Sequence, residues 1–290
     1  MSTVYLNGKF LPIEEARVPV LDRGFIFGDG VYELVPVYSR VPFRLDEHLA
    51  RLERSLAAAR IRNPHTRAEW REIVLGLVAK QSFEDQGIYF QVTRGVAKRD
   101  LAFPKDVAPT VFMMSNPLST PSQEQVEHGA AAVTAADDRW LHCDIKSISL
   151  IGNVMLRQLS ADAGAVETML FRNGKLSEAS ASNVFVVKKG VILSPAKSNL
   201  ILPGITYDMV VEIAAAAKLP LEFRDLTEAE VRSADEVWVT SSSKEVLAIV
   251  TLDGKPVGAG KPGPVFRQVH RLYQDFKQKV MRAGKERQAA

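Results

Sequence analysis

A proline- and serine-rich run interrupts a chain that otherwise has the patterns of regular folded structure. It extends from Asn116 to Ser122 and reads Asn-Pro-Leu-Ser-Thr-Pro-Ser, a composition typical of a linker. Strand and helix patterns alternate on its N-terminal side, and 290 residues are enough for two medium-sized cores. We therefore predict an α/β (α+β) protein with a small N-terminal domain over residues 1–117, a linker over 118–123 and a larger C-terminal domain over 124–290.

Local patterns predict several elements within these domains. Asn7-Gly8 between extended residues predicts a tight β-hairpin. From Asp46 to Arg60 apolar residues recur at helical spacing, and Asp46 is expected as the N-cap. A second amphipathic helix is expected from Ile205 to Ala217, entered through Pro203-Gly204. Mixed helix and strand content is thus expected in both domains.

The composition argues against several classes of protein. The chain is 46% hydrophobic and 24% charged, with a net charge of +3 spread along it, so we expect no nucleic-acid partner. Cys143 is the single cysteine, which excludes a disulfide framework, and the five histidines lack metal-ligand spacing, so no metal is expected. No apolar run approaches the ~20 residues that span a bilayer, and no signal peptide is recognisable. We expect a cytoplasmic protein without membrane contact.

Common phosphate-binding and nucleophile motifs are not present. Gly28-Asp29-Gly30 begins like a dinucleotide fingerprint, but the run ends in Glu33 and leads into a strand where a helix is required. The sequence has no P-loop and no Gly-x-Ser-x-Gly nucleophile motif. The site chemistry must therefore lie elsewhere.

Four segments carry more informative chemistry. Lys146 lies among small and apolar residues, where desolvation favours the neutral amine that forms a Schiff base. Glu178 is followed by small residues, Leu202–Thr206 begins a helix whose free N–H groups suit a phosphate, and Ser241–Ser243 follows a strand. Each segment alone is better explained as a strand end, a cap or a turn. Together they indicate a pocket for pyridoxal 5'-phosphate (PLP).

Ordered motifs over nearly the whole chain point to one family. They are Asp22-Arg23-Gly24, Phe27–Glu33, Glu47–Leu52, Ile88–Gly95, Arg139-Trp140, Cys143–Ser147, Ser182–Phe185, Gly204-Ile205-Thr206 and Val239-Thr240-Ser241. With these motifs the chain resembles the class IV aminotransferases of PLP fold type IV, and among them the bacterial D-amino-acid aminotransferases. The resemblance implies the two-domain architecture of that fold and a homodimer with shared active sites.

The resemblance also implies roles for individual residues. Lys146 would form the Schiff base with PLP and move a proton, and Glu178 would keep the pyridine nitrogen protonated. The other cofactor contacts implied are Arg51, Ile205, Thr206, Ser241 and Ser242 around the phosphate and Leu202 against the ring. Tyr32 and Arg99 would bind the substrate carboxylate, Arg99 from a second subunit. Glu33 and Arg139 would form a pair around the lysine.

One position departs from the family pattern. The D-amino-acid enzymes usually carry arginine, one residue and then histidine as a carboxylate trap, whereas this chain has Arg99-Asp100-Leu101. Leu101 cannot donate a hydrogen bond, so the substrate-carboxylate site is altered and the stereopreference stays open. The leading interpretation is transamination between a D-amino acid and a 2-oxo acid. The alternatives are a branched-chain L-amino-acid or (R)-amine transaminase, an aminodeoxychorismate-type lyase, and a non-catalytic binding protein.

Overall fold

The chain crosses between two structural units more than once in the computed structural model, which describes residues 2–282. The first unit comprises residues 2–118, Ile145–Leu150 and residues 281–282. The second unit comprises Ser119–Asp144 and Ile151–Val280. Residues 283–290, the end of the predicted C-terminal domain, lie outside the described chain.

The first unit is built on an antiparallel sheet that begins with the predicted hairpin. Strands β1 (Thr3–Leu6) and β2 (Lys9–Pro12) pair with Leu6 opposite Lys9, and Asn7 and Gly8 both have positive φ, at 46° and 93°. These angles suit the tight turn that Asn-Gly favours, so the hairpin prediction is confirmed. The other strands are β3 (Gly30–Tyr38), β4 (Val41–Pro42), β5 (Gln86–Thr93) and β6 (Thr110–Pro117), in the order β2-β1-β6-β5-β3-β4.

Helices cover this sheet and contribute to its core. They are α1 (Arg23–Phe27), α2 (Leu45–Ala58) and α3 (Arg67–Ala79), and a 3₁₀ turn occupies Ile13–Glu15. Thr66 and Glu69 form a capping box at the start of α3. The N-cap predicted for α2 is wrong by two residues: Arg44 holds that position, and Asp46 instead pairs with Arg71 at 2.6 Å.

The segment Ile145–Leu150 belongs to the first unit, although the sequence suggested that Lys146 lies in the C-terminal domain. The Tyr32 N–H donates to the Lys146 carbonyl at 2.8 Å, and the Ile148 N–H donates to the Gly30 carbonyl at 3.1 Å. A Cβ at Gly30 would lie only 2.9 Å from Ile148 Cδ1, so glycine permits this close approach. The segment is attached to β3 by bonds that its local sequence does not reveal.

The second unit contains a mixed sheet. Its strands run in the order β12-β11-β10-β13-β14-β7-β8-β9, with β15 beside β14. Strand β7 is parallel to β8 and β14, and β11 is parallel to β12, whereas the other pairs are antiparallel. The bounds are β7 (Ala130–Ala136), β8 (Glu167–Arg172), β9 (Lys175–Ala179), β10 (Asn183–Lys188), β11 (Val191–Ser194), β12 (Leu221–Phe223), β13 (Glu236–Ser241), β14 (Glu245–Leu252) and β15 (Lys255–Pro256).

Helices of the second unit include the one predicted after Pro203-Gly204, which extends over Ile205–Ala216 with Gly204 as its N-cap. The helices are α4 (Gln123–His128), α5 (Ile151–Asp162), α6 (Ile205–Ala216), α7 (Glu228–Arg232) and α8 (Pro264–Phe276), followed by a π-helical turn over Lys277–Met281. Both units therefore have the mixed α/β character predicted. Among the described residues, no helix is both long enough and apolar enough to cross a membrane.

Candidate active site

Lys146 is fixed through its backbone and reaches over an aromatic ring. Its N–H donates to Ser55 Oγ at 3.2 Å, and its carbonyl accepts from Tyr32. The Lys146 Nζ lies 4.2 Å from the centroid of the Tyr32 ring, a distance at which a cation is attracted to the ring face. The side chain is half-buried and the segment is not a regular strand, in contrast to the extended, apolar setting suggested by the sequence. The lysine is accessible and oriented.

A buried charge cluster formed by Glu33, His48 and Arg51 lies in the same unit. Both Glu33 oxygens are bound by Arg51, with Nε–Oε1 at 2.7 Å and Nη2–Oε2 at 2.8 Å. Burial alone would raise the pKa of Glu33, but the Arg51 charge and hydrogen bonds hold that pKa well below its usual range. Glu33 thus binds Arg51 and His48, whereas Arg139 binds Asp137 and Glu178 in the second unit, and the expected role of Glu33 and Arg139 around the lysine stays a prediction.

His48 was not singled out from the sequence, although it lies in one of the family motifs. Its Nδ1 is 2.7 Å from Glu33 Oε2, and burial lowers the pKa of His48, so the ring is neutral. Because an ionised carboxylate only accepts hydrogen bonds, we assign the ring proton to Nδ1. His48 Nε2 is buried and has no hydrogen-bond partner among the described residues.

Glu178 is the buried carboxylate of the second unit that the sequence analysis singled out. It lies on β9 and accepts from the Leu202 N–H at 2.9 Å, from Arg139 Nη1 at 2.8 Å and from Asn183 Nδ2 at 3.4 Å. Burial raises the pKa of Glu178 to about 7, although the Arg139 charge opposes the shift. The carboxyl group can therefore gain or release a proton near neutral pH.

Asp137, which the sequence analysis missed, determines where Arg139 points. Asp137 binds Arg139 Nε at 2.9 Å and Nη2 at 3.0 Å, leaving Nη1 directed to Glu178. Burial would raise the pKa of Asp137, but hydrogen bonds from Arg139 and Ser177 lower it to about 2. The ionised Asp137 balances the Arg139 charge and so limits how far Arg139 can acidify Glu178.

The start of α6 is joined to Glu178 through Asn183. Asn183 Nδ2 donates to the Leu202 carbonyl at 2.9 Å, and a Cβ at Gly204 would lie 2.2 Å from Asn183 Oδ1. Glycine at 204 therefore allows the asparagine to hold the helix start beside the carboxylate. Within the described chain, the N–H groups of Ile205 and Thr206 make no hydrogen bond, which leaves donors for an anion.

The three serines Ser241–Ser243, here called the hydroxyl loop, begin at the last residue of β13 in the same unit. Thr240 lies opposite Asn183 in the sheet, so their side chains share a face, and Ser241 Oγ accepts from the Lys244 N–H at 3.0 Å. Thr240 Oγ1 is buried and lacks a partner within residues 2–282. The structure thus brings Glu178, Leu202, Ile205 and Thr206 together and places Ser241 and Ser242 at the end of a strand paired with β10.

Glu167 is a second residue that the sequence analysis missed. It is fully buried and accepts from Ser182 Oγ at 2.6 Å, from Ser180 Oγ, and from Lys244 Nζ at 3.0 Å. These contacts tie the segment after Glu178 to the hydroxyl loop. An acidic residue at the start of the apolar strand β8 was the signal that could have identified it.

Arg99 and Leu101, which were expected to bind the substrate, lie on an exposed loop of the first unit. The Arg99 guanidinium lies 5.4 Å from the centroid of the Phe27 ring, and the Leu101 side chain is 80% exposed. Tyr32, the other residue expected to bind substrate, lies beside Lys146, whose Nζ is 4.2 Å from the centroid of its ring.

Comparison with known proteins identifies relatives over nearly the whole length. Residues 30–252 match the amino-transferase class IV family. A D-alanine aminotransferase of Bacillus licheniformis is 39% identical over 94% of this chain and 96% of its own length, and one of Staphylococcus aureus (strain MW2) is 38% identical over 95% and 98%. The crystal structure of a T.th. branched-chain amino acid aminotransferase with pyridoxamine 5'-phosphate has a TM-score of 0.91 at 26% identity, covering 98% of this chain and 97% of that one.

In the cofactor-free protein, Glu178→Gln should increase stability at high pH and leave it unchanged at low pH. Folding raises the pKa of Glu178, so the protonated form stabilises the fold below about pH 4.5, and this contribution is lost as the pH rises through about 7. Glutamine mimics the protonated form at every pH. Urea unfolding should show equal free energies at low pH and a variant more stable by up to about 3 kcal/mol well above pH 7.

The control is Glu222→Gln, which changes an exposed carboxylate of the same unit. A difference between Glu178→Gln and the parent protein that does not grow with pH would mean that Glu178 is already ionised in the fold.

Proposed function

The chain belongs to the amino-transferase class IV family, and from this premise we propose that it transfers an amino group between a D-alanine-like D-amino acid and a 2-oxo acid. It is a PLP-dependent transaminase. The observation that carries the proposed substrate class is the 39% identity to a D-alanine aminotransferase, over 94% of this chain. The lysine and the buried carboxylate that the reaction needs are both present, which argues against a non-catalytic binding protein.

The residues fit the three chemical handles of PLP. Its aldehyde needs an accessible amine, which Lys146 provides above the Tyr32 ring. Its pyridine nitrogen needs an acid of matched proton affinity, and burial brings the pKa of Glu178 to about 7. Its phosphate needs unpaired donors, and the Ile205 and Thr206 N–H groups at the start of α6 supply them.

In our proposal Lys146 transfers one proton and Glu178 holds another in place. Bound PLP supplies electron withdrawal from the carbon that carries the amino group. The Lys146 amine would take the proton from that carbon and deliver it to the cofactor carbon C4′. Glu178 holds a proton at the ring nitrogen, and the Arg139–Asp137 pair keeps its carboxyl group directed by a hydrogen bond at 2.8 Å.

The remaining cofactor residues bind and orient. We assign Thr206, Ser241 and Ser242 to the phosphate, together with the Ile205 N–H, and Leu202 to the ring face. Arg51 is also assigned to the phosphate, and Glu33 fixes the plane of its guanidinium by binding two of its nitrogens. Tyr32, Arg99 and Leu101 are assigned to the substrate, with Arg99 as the charged partner of its carboxylate.

The alternatives differ in substrate rather than in fold. A branched-chain L-amino-acid transaminase is the second candidate, since the T.th. branched-chain enzyme has a TM-score of 0.91. Its identity of 26% is well below the 39% of the D-alanine enzyme, which is why we rank it second. An (R)-amine transaminase or an aminodeoxychorismate-type lyase would retain Lys146 and Glu178 and would differ at the substrate residues.

We also propose that the enzyme is a homodimer. Helix α5 exposes Ile151 by 73% and Met155 by 65%, with Val154 beside them on the same face. Exposed apolar side chains at helical spacing favour contact with another protein, and a second copy of this chain is the partner that the family resemblance implies. The cytoplasmic location stays a prediction from the sequence.

Lys146→Ala should abolish covalent attachment of PLP and transamination, because alanine has no amine with which to form the Schiff base. Borohydride reduction of the parent protein with PLP, followed by peptide mapping, should place the label on Lys146. The matched control is Lys175→Ala, which removes an exposed lysine of the second unit and should leave both properties unchanged. A label on any other lysine would refute the assignment.

Among a panel of D-amino acids, L-amino acids and (R)-amines, D-alanine should be a substrate, and Arg99→Ala should raise its KM by about ten- to hundredfold. That range corresponds to one lost charge-assisted hydrogen bond of ~1.5–3 kcal/mol. The cofactor spectrum should not change. Activity with L-leucine or L-valine and none with D-alanine would move the protein to the branched-chain class, and activity confined to (R)-amines would remove Arg99 from the site.

Light scattering should give twice the mass of one chain, and Val154→Glu should shift the protein towards the monomer. A carboxylate buried without a partner is strongly unfavourable, so the substitution opposes association through α5. Lys255→Glu, an exposed charge change on β15, is the control. A monomer at working concentration in the parent protein would contradict the proposal.

A further inference from the structure

The segment that carries Arg99 and Leu101 is a long connection with a closed base. It extends from Arg94 to Pro109 between β5 and β6 and contains no regular helix or strand. Loops of this length are uncommon in compact domains and are frequently functional. A Cβ at Gly95 would lie 2.0 Å from the Ala108 carbonyl oxygen, so the two ends of the connection meet closely.

Arg23 holds the far part of this loop by its backbone. The Arg23 Nη1 donates to the Asp100 carbonyl at 2.5 Å and to the Ala102 carbonyl at 3.4 Å, and Nη2 donates to the Leu101 carbonyl at 3.5 Å. Arg23 itself is buried and begins α1. One guanidinium therefore binds three consecutive carbonyl groups next to Arg99.

Asp29 fixes Arg23 from the other side. Its Oδ2 accepts from Arg23 Nε and from Arg94 Nε, both at 2.7 Å, and its Oδ1 accepts from Arg94 Nη2 at 3.0 Å. Burial would raise the pKa of Asp29, but hydrogen bonds from Arg94 and Arg23 lower it, so Asp29 is ionised and charge-paired. The Arg94 guanidinium also lies 3.7 Å from the centroid of the Phe103 ring, which holds a further point of the loop.

This arrangement is more than packing. The tip that it holds is exposed, so pinning the tip adds little to the core, whereas burying the Arg23 charge is costly. The Arg23 contacts go to backbone carbonyls and so do not require particular side chains at positions 100 and 101, although the Asp100 carboxylate adds a local bond from the Ala102 N–H at 3.1 Å. An exposed loop whose backbone is held in place is suited to recognition.

We propose that Arg23, oriented by Asp29, is a positioning residue that presents Arg99 to the substrate carboxylate and so sets the affinity for amino-acid substrates. The inference rests on the proposed role of Arg99. Arg23 touches neither substrate nor cofactor; it acts through the loop.

The test combines Arg23→Lys with Arg99→Ala in the PLP-loaded enzyme. Lysine keeps the charge but cannot bind several carbonyls with a planar fork. We expect Arg23→Lys to raise KM for D-alanine about tenfold with little change in kcat or in the cofactor spectrum. In an Arg99→Ala background the same change should have almost no further effect, because residues that act through one contact are not additive. Asp29→Asn is the second variant and should act in the same direction.

Hydrogen exchange of the cofactor-free protein tests independently of activity whether the bonds from Arg23 to the carbonyls of residues 100–102 (the clamp) hold the loop. Amides of residues 96–103 should exchange at least several-fold faster in Arg23→Lys, whereas Arg67→Lys, which changes an exposed arginine paired with Glu53, should leave them unchanged. Unaltered exchange would overturn the clamp. Faster exchange with an unchanged KM would overturn the proposed role of Arg23 in substrate binding. The same would follow if Arg23→Lys had equal effects in the presence and absence of Arg99. An Arg99→Ala variant with normal KM would instead refute the proposed function of Arg99.

Discussion

A carboxylate removed from water must be given donors, and in this protein those donors come from segments far apart in the chain. Glu178 takes a backbone N–H from Leu202 and a guanidinium from Arg139. Asp22 shows the same principle away from the candidate site, since it accepts from Thr93 and Thr110 on two strands and also caps α1. Glu178 and Asp22 thus each hold several segments of the chain in a fixed geometry through the hydrogen bonds that they accept.

Elements whose cause is local could be predicted from the sequence. The Asn7-Gly8 turn depends on two residues that tolerate positive φ, and α6 begins where Pro203-Gly204 ends an extended segment. The segments around Glu178 and Ile205 stand out in the sequence by their unusual local compositions, and Asn183 joins them in the structure through Glu178 and the Leu202 carbonyl. The resemblance to class IV aminotransferases added roles to residues that the patterns alone left with several explanations.

Partnerships across the fold could not be predicted in this way. Arg51 and Glu33 lie on a helix and a strand, and their fork-like pairing depends on how α2 packs on β3. The sequence interpretation of Asp46 as an N-cap failed for a related reason, since its carboxylate is used by Arg71 of the next helix. His48 and Asp137 were overlooked because a single histidine or aspartate has no periodicity, and only its buried partners distinguish it from a surface residue.

The attachment of Ile145–Leu150 to β3 limits how such genes can recombine. A crossover at the linker near residue 118 would give a chimera in which one parent supplies Gly30 and Tyr32 and the other supplies the lysine segment that must pair with them. The fit is close at this point, since a Cβ at position 30 would lie only 2.9 Å from Ile148 Cδ1. A larger side chain at either position would therefore clash. A fragment ending at the linker would leave that part of β3 with an unpaired edge, which promotes aggregation. The lysine and its supporting strand are therefore inherited together or not at all.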